Sequence, residues 1–170
     1  PDALSRVSIE ESDGDAADYL YATRPESLIA AAQMGSLEYH IWGARVDRLD
    51  RPDRLVFDLD PDEGLDWADV RAAAFELRDA LAALGLQSGA IVTGGKGVHV
   101  WLALRRTRGW ETVKLFAKTF AHVMAAQDPD RYVATMSKAK RKGRIFIDWL
   151  RNERGATAIA PYSLRARPGA

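Results

Sequence analysis

Three observations lead the sequence to predict an α+β domain built on a ferredoxin-like, RRM-like βαββαβ unit. First, four strand-length apolar or alternating runs, at 55–60, 90–93, 97–104 and 144–149, fall in the order strand, helix, strand, strand, helix, strand. Second, the helical patterns between them each carry one apolar stripe at helical spacing. Third, the strand parities collect carboxylates on a single face of the sheet, leaving the other face apolar.

Ahead of that unit, residues 25–34 read as a short helix opening on Pro25, and residues 39–46 as an N-terminal strand. In "RLVFDLDPDEG", alternation sends Leu55, Phe57 and Leu59 to one face and Val56, Asp58 and Asp60 to the other. Asp66 then caps a helix with Asp69 in its first turn. Val70, Ala73, Ala74, Leu77, Leu81 and Leu84 form its stripe, and Gly85 ends it. "AIVT" (90–93) is a short strand and "GVHVWLAL" (97–104) a strictly alternating one. Residues 110–127 give an amphipathic helix through Val113, Phe116, Ala117, Phe120, Val123 and Met124, and "RIFIDW" (144–149) is the last strand. Residues 1–170 read as one domain, with no repeat and no low-complexity linker.

The usual order of such a sheet, 4-1-3-2, makes 55–60 a central strand beside 97–104 and 144–149. Val98, Val100, Leu102 and Leu104 then face the helices and leave His99 and Trp101 on the open side. Ile145, Ile147 and Trp149 face inward and leave Phe146 and Asp148 outside. Asp58, Asp60, His99 and Asp148 therefore share one open face. Carboxylates gathered there relieve their repulsion by binding hard divalent cations, and Mg²⁺ favours one or two carboxylates plus substrate phosphates. The competing reading is one acid paired with an arginine and the others merely exposed.

Composition is consistent with a globular domain: 47% hydrophobic, 28% charged, formal net charge zero. The absence of cysteine removes disulfides and thiolate metal sites, and no apolar run is long enough to span a membrane. A cytoplasmic location follows as the expectation. The charge is uneven, however. Residues 9–18 hold five acids and no base, whereas residues 131–167 hold ten Lys or Arg against Asp148 and Glu153, a net of +8. That asymmetry suits a polyanionic partner for the C-terminal part, or else a solvated basic surface.

"TGGKGVHV" (93–100) places Thr93, Gly94, Gly95, Lys96 and Gly97 between two strands. Glycines around a lysine let successive N–H groups form a nest for phosphate oxygens, although Gly-Gly serves a plain hairpin equally well. It is not a Walker A loop, which requires Gly and Ser or Thr where Ala90 and Gly97 stand. "VFDLD" also looks like the opening motif of haloacid-dehalogenase-type phosphatases, but Asp62 occupies the position of that motif's threonine, and the βαββαβ order does not fit a parallel sheet.

Taken together, "MGSLEYHIWGAR", "FDLDP", "TGGKGVHV", "IFIDWLRN" and "GATAIAPYSLRARPGA" resemble the polymerase domain of bacterial ligase D, in the archaeo-eukaryotic primase superfamily. The resemblance runs from about residue 1 to the end. It implies a catalytic palm that acts as a nucleotidyltransferase of non-homologous end joining. Such an enzyme adds nucleotides, typically ribonucleotides, to a DNA 3′-OH with two Mn²⁺ or Mg²⁺ ions. On the matching positions it makes Asp58, Asp60 and Asp148 the catalytic, metal-binding acids. It places His40, Thr93, Gly94, Gly95, Lys96, His99, Arg141, Arg165 and Arg167 around the incoming NTP or dNTP, with Thr93 where the family usually has serine. Arg141 lies in the basic loop "SKAKRKG" (137–143). Implied partners are DNA ends together with ligase and Ku-type end-joining proteins, at the nucleoid and not at a membrane. The resemblance also implies that the family's upstream DNA-holding part, and its ligase and phosphoesterase modules, lie outside this stretch. A nucleotide- or nucleic-acid-binding module without catalysis is the alternative from another class. For single residues, a core role competes for His40, packing competes for Trp42 and Trp101, and His122 reads as structural.

Overall fold

The computed structural model describes residues 3–11 and 14–167. The order is β1 (Ser5–Glu10), β2 (Ala16–Tyr21), α1 (Pro25–Gln33), β3 (His40–Trp42), β4 (Arg54–Pro61), α2 (Trp67–Ala83) and β5 (Gly89–Val92). β6 (Val98–Ala103), α3 (Trp110–Gln127), β7 (Tyr132–Val133), β8 (Ile145–Asp148) and β9 (Thr157–Ile159) complete it. The βαββαβ unit is β4-α2-β5-β6-α3-β8. Its sheet runs β5-β6-β4-β8-β7, which is the predicted 4-1-3-2 order with a short parallel strand, β7, added beside β8.

The helices begin and end where local chemistry dictates. The Asp66 side chain accepts from the Asp69 N–H (3.0 Å), and Asp69 returns the bond to the Asp66 N–H (3.1 Å), a reciprocal capping box. Gly85 takes φ +74° just past α2, and the Leu86 N–H reaches back to the Leu81 carbonyl (3.1 Å). One sheet face and the two helices enclose the core: Leu55, Phe57 and Leu59 of β4 meet Val70, Leu77 and Leu81 of α2 and Ala117 and Phe120 of α3. Phe57 and Phe120 pack ring to ring at 5.2 Å.

Outside this unit the sequence reading needed correction. The strand expected over 39–46 covers only His40–Trp42, and the chain then enters a loop. An isolated bridge between Ala44 and Pro52 and the Arg45–Asp53 ion pair (2.9 Å) close that loop. The acidic stretch 9–18 falls largely in the β1–β2 hairpin, whose strands pair from Ser5 with Tyr21 to Glu10 with Ala16. β3 pairs with β9 in a second two-stranded sheet, His40 opposite Ile159. The excess of base in the C-terminal part is also partly spent on acids from elsewhere. Arg131 binds Glu76 (2.8 Å), and Arg154 faces Asp50 (3.4 Å) and donates to the Glu10 carbonyl (2.8 Å).

Candidate active site

Pairing brings three predicted residues into lateral contact. Asp58 on β4 stands opposite His99 of β6 on one side and Asp148 of β8 on the other, and Asp60 stands opposite Phe146. The face is less open than its polarity suggests. Val56, His99 and Phe146 are buried, and the Asp58 and Asp148 side chains keep 16% of their exposure. His99 points its Nε2 at Asp58 Oδ2 (3.4 Å), so it meets a carboxylate rather than open space.

Immediately after Asp148 the chain turns back. β8 pairs with β4 only as far as Asp58, which leaves the Val56 backbone without a strand partner on that side. The Asn152 side chain supplies one: its Oδ1 accepts from the Val56 N–H (2.8 Å) and its Nδ2 donates to the Val56 carbonyl (2.7 Å). A second bond from Nδ2 to the Trp149 carbonyl (2.8 Å) closes the turn. That turn carries Arg151 back over the acids, 3.4 Å from Asp58 Oδ2 and 3.9 Å from Asp148 Oδ2. The Leu150 N–H donates to Asp148 Oδ1 (2.8 Å). Arg141, cushioned on the Phe146 ring at 3.9 Å, reaches Asp60 Oδ2 at 3.1 Å.

The two central acids differ electrostatically. Burial pushes the Asp58 carboxyl up, but the His99 bond and the charges of His99 and Arg151 outweigh it and hold it below the usual range. Burial also pushes Asp148 up, and there the Asp58 charge adds to the effect, so the Leu150 N–H and Arg151 do not bring it back.

Among the described residues no three acids or histidines are drawn into a ready-made metal centre. Asp60 leans away to Arg141, and guanidinium groups stand on the carboxylate oxygens. Positive charge is therefore held where the sequence reading put cations, and an all-oxygen carboxylate set beside solvent suits Mg²⁺ or Mn²⁺.

The glycine turn borders this group. Gly94 takes φ +69°, and the Thr93 hydroxyl donates to the Gly97 carbonyl (2.9 Å), so this threonine braces the turn. Gly97 has no room for a side chain: a Cβ there would stand 2.7 Å from the Leu59 carbonyl oxygen and 3.3 Å from Asp58 Oδ1. A Cβ on Gly95 would lie 3.1 Å from an Arg167 terminal nitrogen, so the turn also abuts the C-terminal segment. Lys96 is exposed. His40 is exposed rather than a core histidine, and it bonds Glu38, which also faces Arg165. Trp42 meets Tyr19 edge to face at 5.4 Å, and Trp101 lies against Gly89, so both pack locally. His122 bonds the Lys118 carbonyl one turn back in its own helix. Sequence reasoning did not single out Arg151, Asn152 or Glu38. Arg151 and Asn152 lie in a turn just past the last periodic strand, and Arg151 follows Asp148 by one helical-turn spacing, the only local hint available.

Comparison with known proteins gives a consistent picture. The family model described as "LigD, primase-polymerase domain" matches residues 1–170. The multifunctional non-homologous end joining protein LigD of Pseudomonas aeruginosa is 44% identical over 144 residues, 85% of this chain and 17% of that protein. Its namesake in Mycolicibacterium smegmatis is 35% identical over 169 residues, 98% of this chain and 22% of that protein. Among solved structures, the polymerase domain of Mycobacterium tuberculosis ligase D in complex with DNA superposes with a TM-score of 0.89 at 32% identity. That match covers 98% of this chain and 61% of the other. The chain thus spans about a fifth of the length of these curated relatives.

Proposed function

The chain belongs to the LigD primase-polymerase domain family, and from that premise we propose that it is the catalytic core of a nucleotidyltransferase acting at DNA ends in double-strand break repair. In this reading it adds nucleotides, ribonucleotides by preference, to a DNA 3′-OH and releases pyrophosphate. The observation that carries the proposal is the juxtaposition of Asp58 and Asp148 on neighbouring strands beneath Arg151, with a glycine turn and Arg167 alongside.

Bound at Asp58, Asp60 and Asp148, two divalent cations would neutralise and clamp the attacking and leaving oxygens of an in-line displacement. The protein's own part is positioning. His99 fixes the orientation of the Asp58 carboxylate, and the Leu150 N–H that of Asp148. Arg151 and Arg141 balance the acids before substrate arrives, and are then free to meet phosphate as cations take over that balance. Lys96, on the glycine turn, adds a positive charge toward the triphosphate with Arg165, Arg167 and His40. The exposed loop residues Lys138, Lys140 and Lys142 suit nucleic-acid phosphates. A solved DNA complex of a family member supports the choice of a DNA partner. Ligase and Ku-type proteins are further partners in this proposal. Among the described residues no helix is long and apolar enough to cross a membrane.

Extension of a 3′-overhang primer with NTPs or dNTPs and Mn²⁺ tests the reading. Asp58→Ala and Asp148→Ala are expected to abolish it with the fold retained, and full activity in either would end the two-cation assignment. Lys96→Ala should weaken NTP binding roughly 10- to 150-fold, the worth of one charge-assisted contact. Parental affinity in that variant would reduce the glycine turn to a hairpin. Primer affinity should fall linearly with salt on logarithmic axes, with a slope of about −0.7 to −0.9 per phosphate contacted.

A further inference from the structure

We propose that Glu38 is a positioning residue that yokes His40 and Arg165 into one phosphate-binding unit, an inference that rests on the nucleotide-binding reading above. Its two carboxylate oxygens are divided between them. Oε1 lies 2.7 Å from His40 Nε2, and Oε2 lies 3.5 Å from Arg165 Nε. The contacts take the distal ring nitrogen of His40 and the Nε of Arg165, behind its terminal nitrogens. Among the described residues no hydrogen bond holds His40 Nδ1 or the two terminal nitrogens of Arg165, and these are the groups the proposal assigns to an anion.

The backbone prepares this arrangement. Glu38 lies two residues before His40, the first residue of β3, and the two side chains meet on one side of the chain. Between them, Tyr39 is pinned on both polar groups: its N–H donates to Ser163 Oγ (2.8 Å), and its carbonyl accepts from the Ala160 N–H (2.9 Å). That seam draws residues 160–165 against the start of β3. Arg165 is thereby fixed beside Glu38, with its side chain only 13% exposed. Arg165 Nε is buried and has no hydrogen-bond partner among the described residues, so the facing carboxylate is what balances its charge.

The chemistry makes the role decidable. A carboxylate close to a triphosphate repels it, and simple removal of that repulsion would tighten binding. A carboxylate that instead holds two donors in their binding geometry removes the cost of ordering them at the moment of capture. The two possibilities predict opposite signs.

The experiment measures Mn²⁺-dependent NTP binding without DNA, and steady-state primer extension, for the parent, Glu38→Ala, Glu38→Gln, His40→Ala, Arg165→Ala and the Glu38→Ala/His40→Ala pair. Glu38→Ala is expected to weaken NTP binding roughly tenfold, raising KM with little change in kcat. Glu38→Gln keeps an acceptor for His40 and the shape of the side chain, so it should recover part of the loss and unfold at the parental temperature. The double variant should bind more tightly than the product of the two single losses predicts, because both remove the same contact. Unchanged or tighter binding in Glu38→Ala, with Arg165→Ala weakened, overturns the yoke and leaves the nucleotide site standing. Parental binding in Arg165→Ala, His40→Ala and Glu38→Ala alike overturns both.

Discussion

The two faces of the five-stranded sheet are made by the same strands and obey different rules. On the helix side, Leu55, Phe57, Leu59, Val100 and Ile147 are buried against α2 and α3. On the other, Asp58, His99 and Asp148 are drawn together as closely as β-pairing allows, and charge rather than volume decides what stands beside them. The helix face solves a packing problem that any well-shaped apolar set can solve. The site face solves a charge problem, and guanidinium groups from outside the sheet complete it. Burial is consequently a poor guide to role here. Phe146 is buried on the site face, yet its ring carries Arg141, and Val56, also buried there, offers its backbone N–H and carbonyl to Asn152.

That contrast breaks most visibly at Phe57. Its side chain is fully buried against Phe120, so Phe57→Ala should cost about 3–5 kcal/mol of unfolding free energy in a urea titration. A loss below about 1 kcal/mol would mean that the helix face is not the main core. A smaller effect is expected from Asn152→Ala, which leaves the Val56 N–H and carbonyl without partners at a buried strand edge. The cost should be about 1–3 kcal/mol, accompanied by faster amide exchange at Val56 and weaker primer extension as Arg151 loses its place. Parental exchange at Val56 would show that the turn holds without this side chain.

The smallest effect has the opposite sign. Asp148 is held above the usual carboxylate range, so its ionised form is disfavoured in the fold. Its contribution to stability is full in acid and is lost as pH rises through its folded pKa. Asp148→Asn should therefore raise the thermal stability of the metal-free protein at neutral pH, with the gain disappearing in acid. Asp58, held below the usual range, contributes stability above that range and loses it as pH falls, so Asp58→Asn should lower stability at neutral pH. Added Mn²⁺ should stabilise the parent and leave Asp148→Asn nearly unmoved. Equal Mn²⁺ shifts in both would place the cation away from Asp148.

Legibility in the sequence follows the same division. The four strands of the βαββαβ unit, both long helices, the Asp66 cap and the stop at Gly85 are legible because each depends on neighbours within one or two turns. Parity alone separated Asp58 and Asp148 from the core. The β1–β2 hairpin was not read, since its short strands alternate partly buried and exposed residues without an apolar run. β7 and β9 are too short to carry any period. His99 was placed on the correct face, but its burial against Asp58 was invisible until β6 was set beside β4.

What the sequence by itself determined is thus the elements of the βαββαβ unit, the sheet face of Asp58, His99 and Asp148, and the glycine turn at Gly94–Gly97, because backbone sterics and hydrophobic period act locally. Only the tertiary structure decided which cation stands on which carboxylate. Arg141 meets Asp60 across 81 residues of chain, Arg151 meets Asp58 across 93, and Asn152 reaches Val56 across 96. No period or propensity connects positions so far apart. Their pairing is set by the order in which strands are laid side by side, and that order follows from burying the helix face as one core.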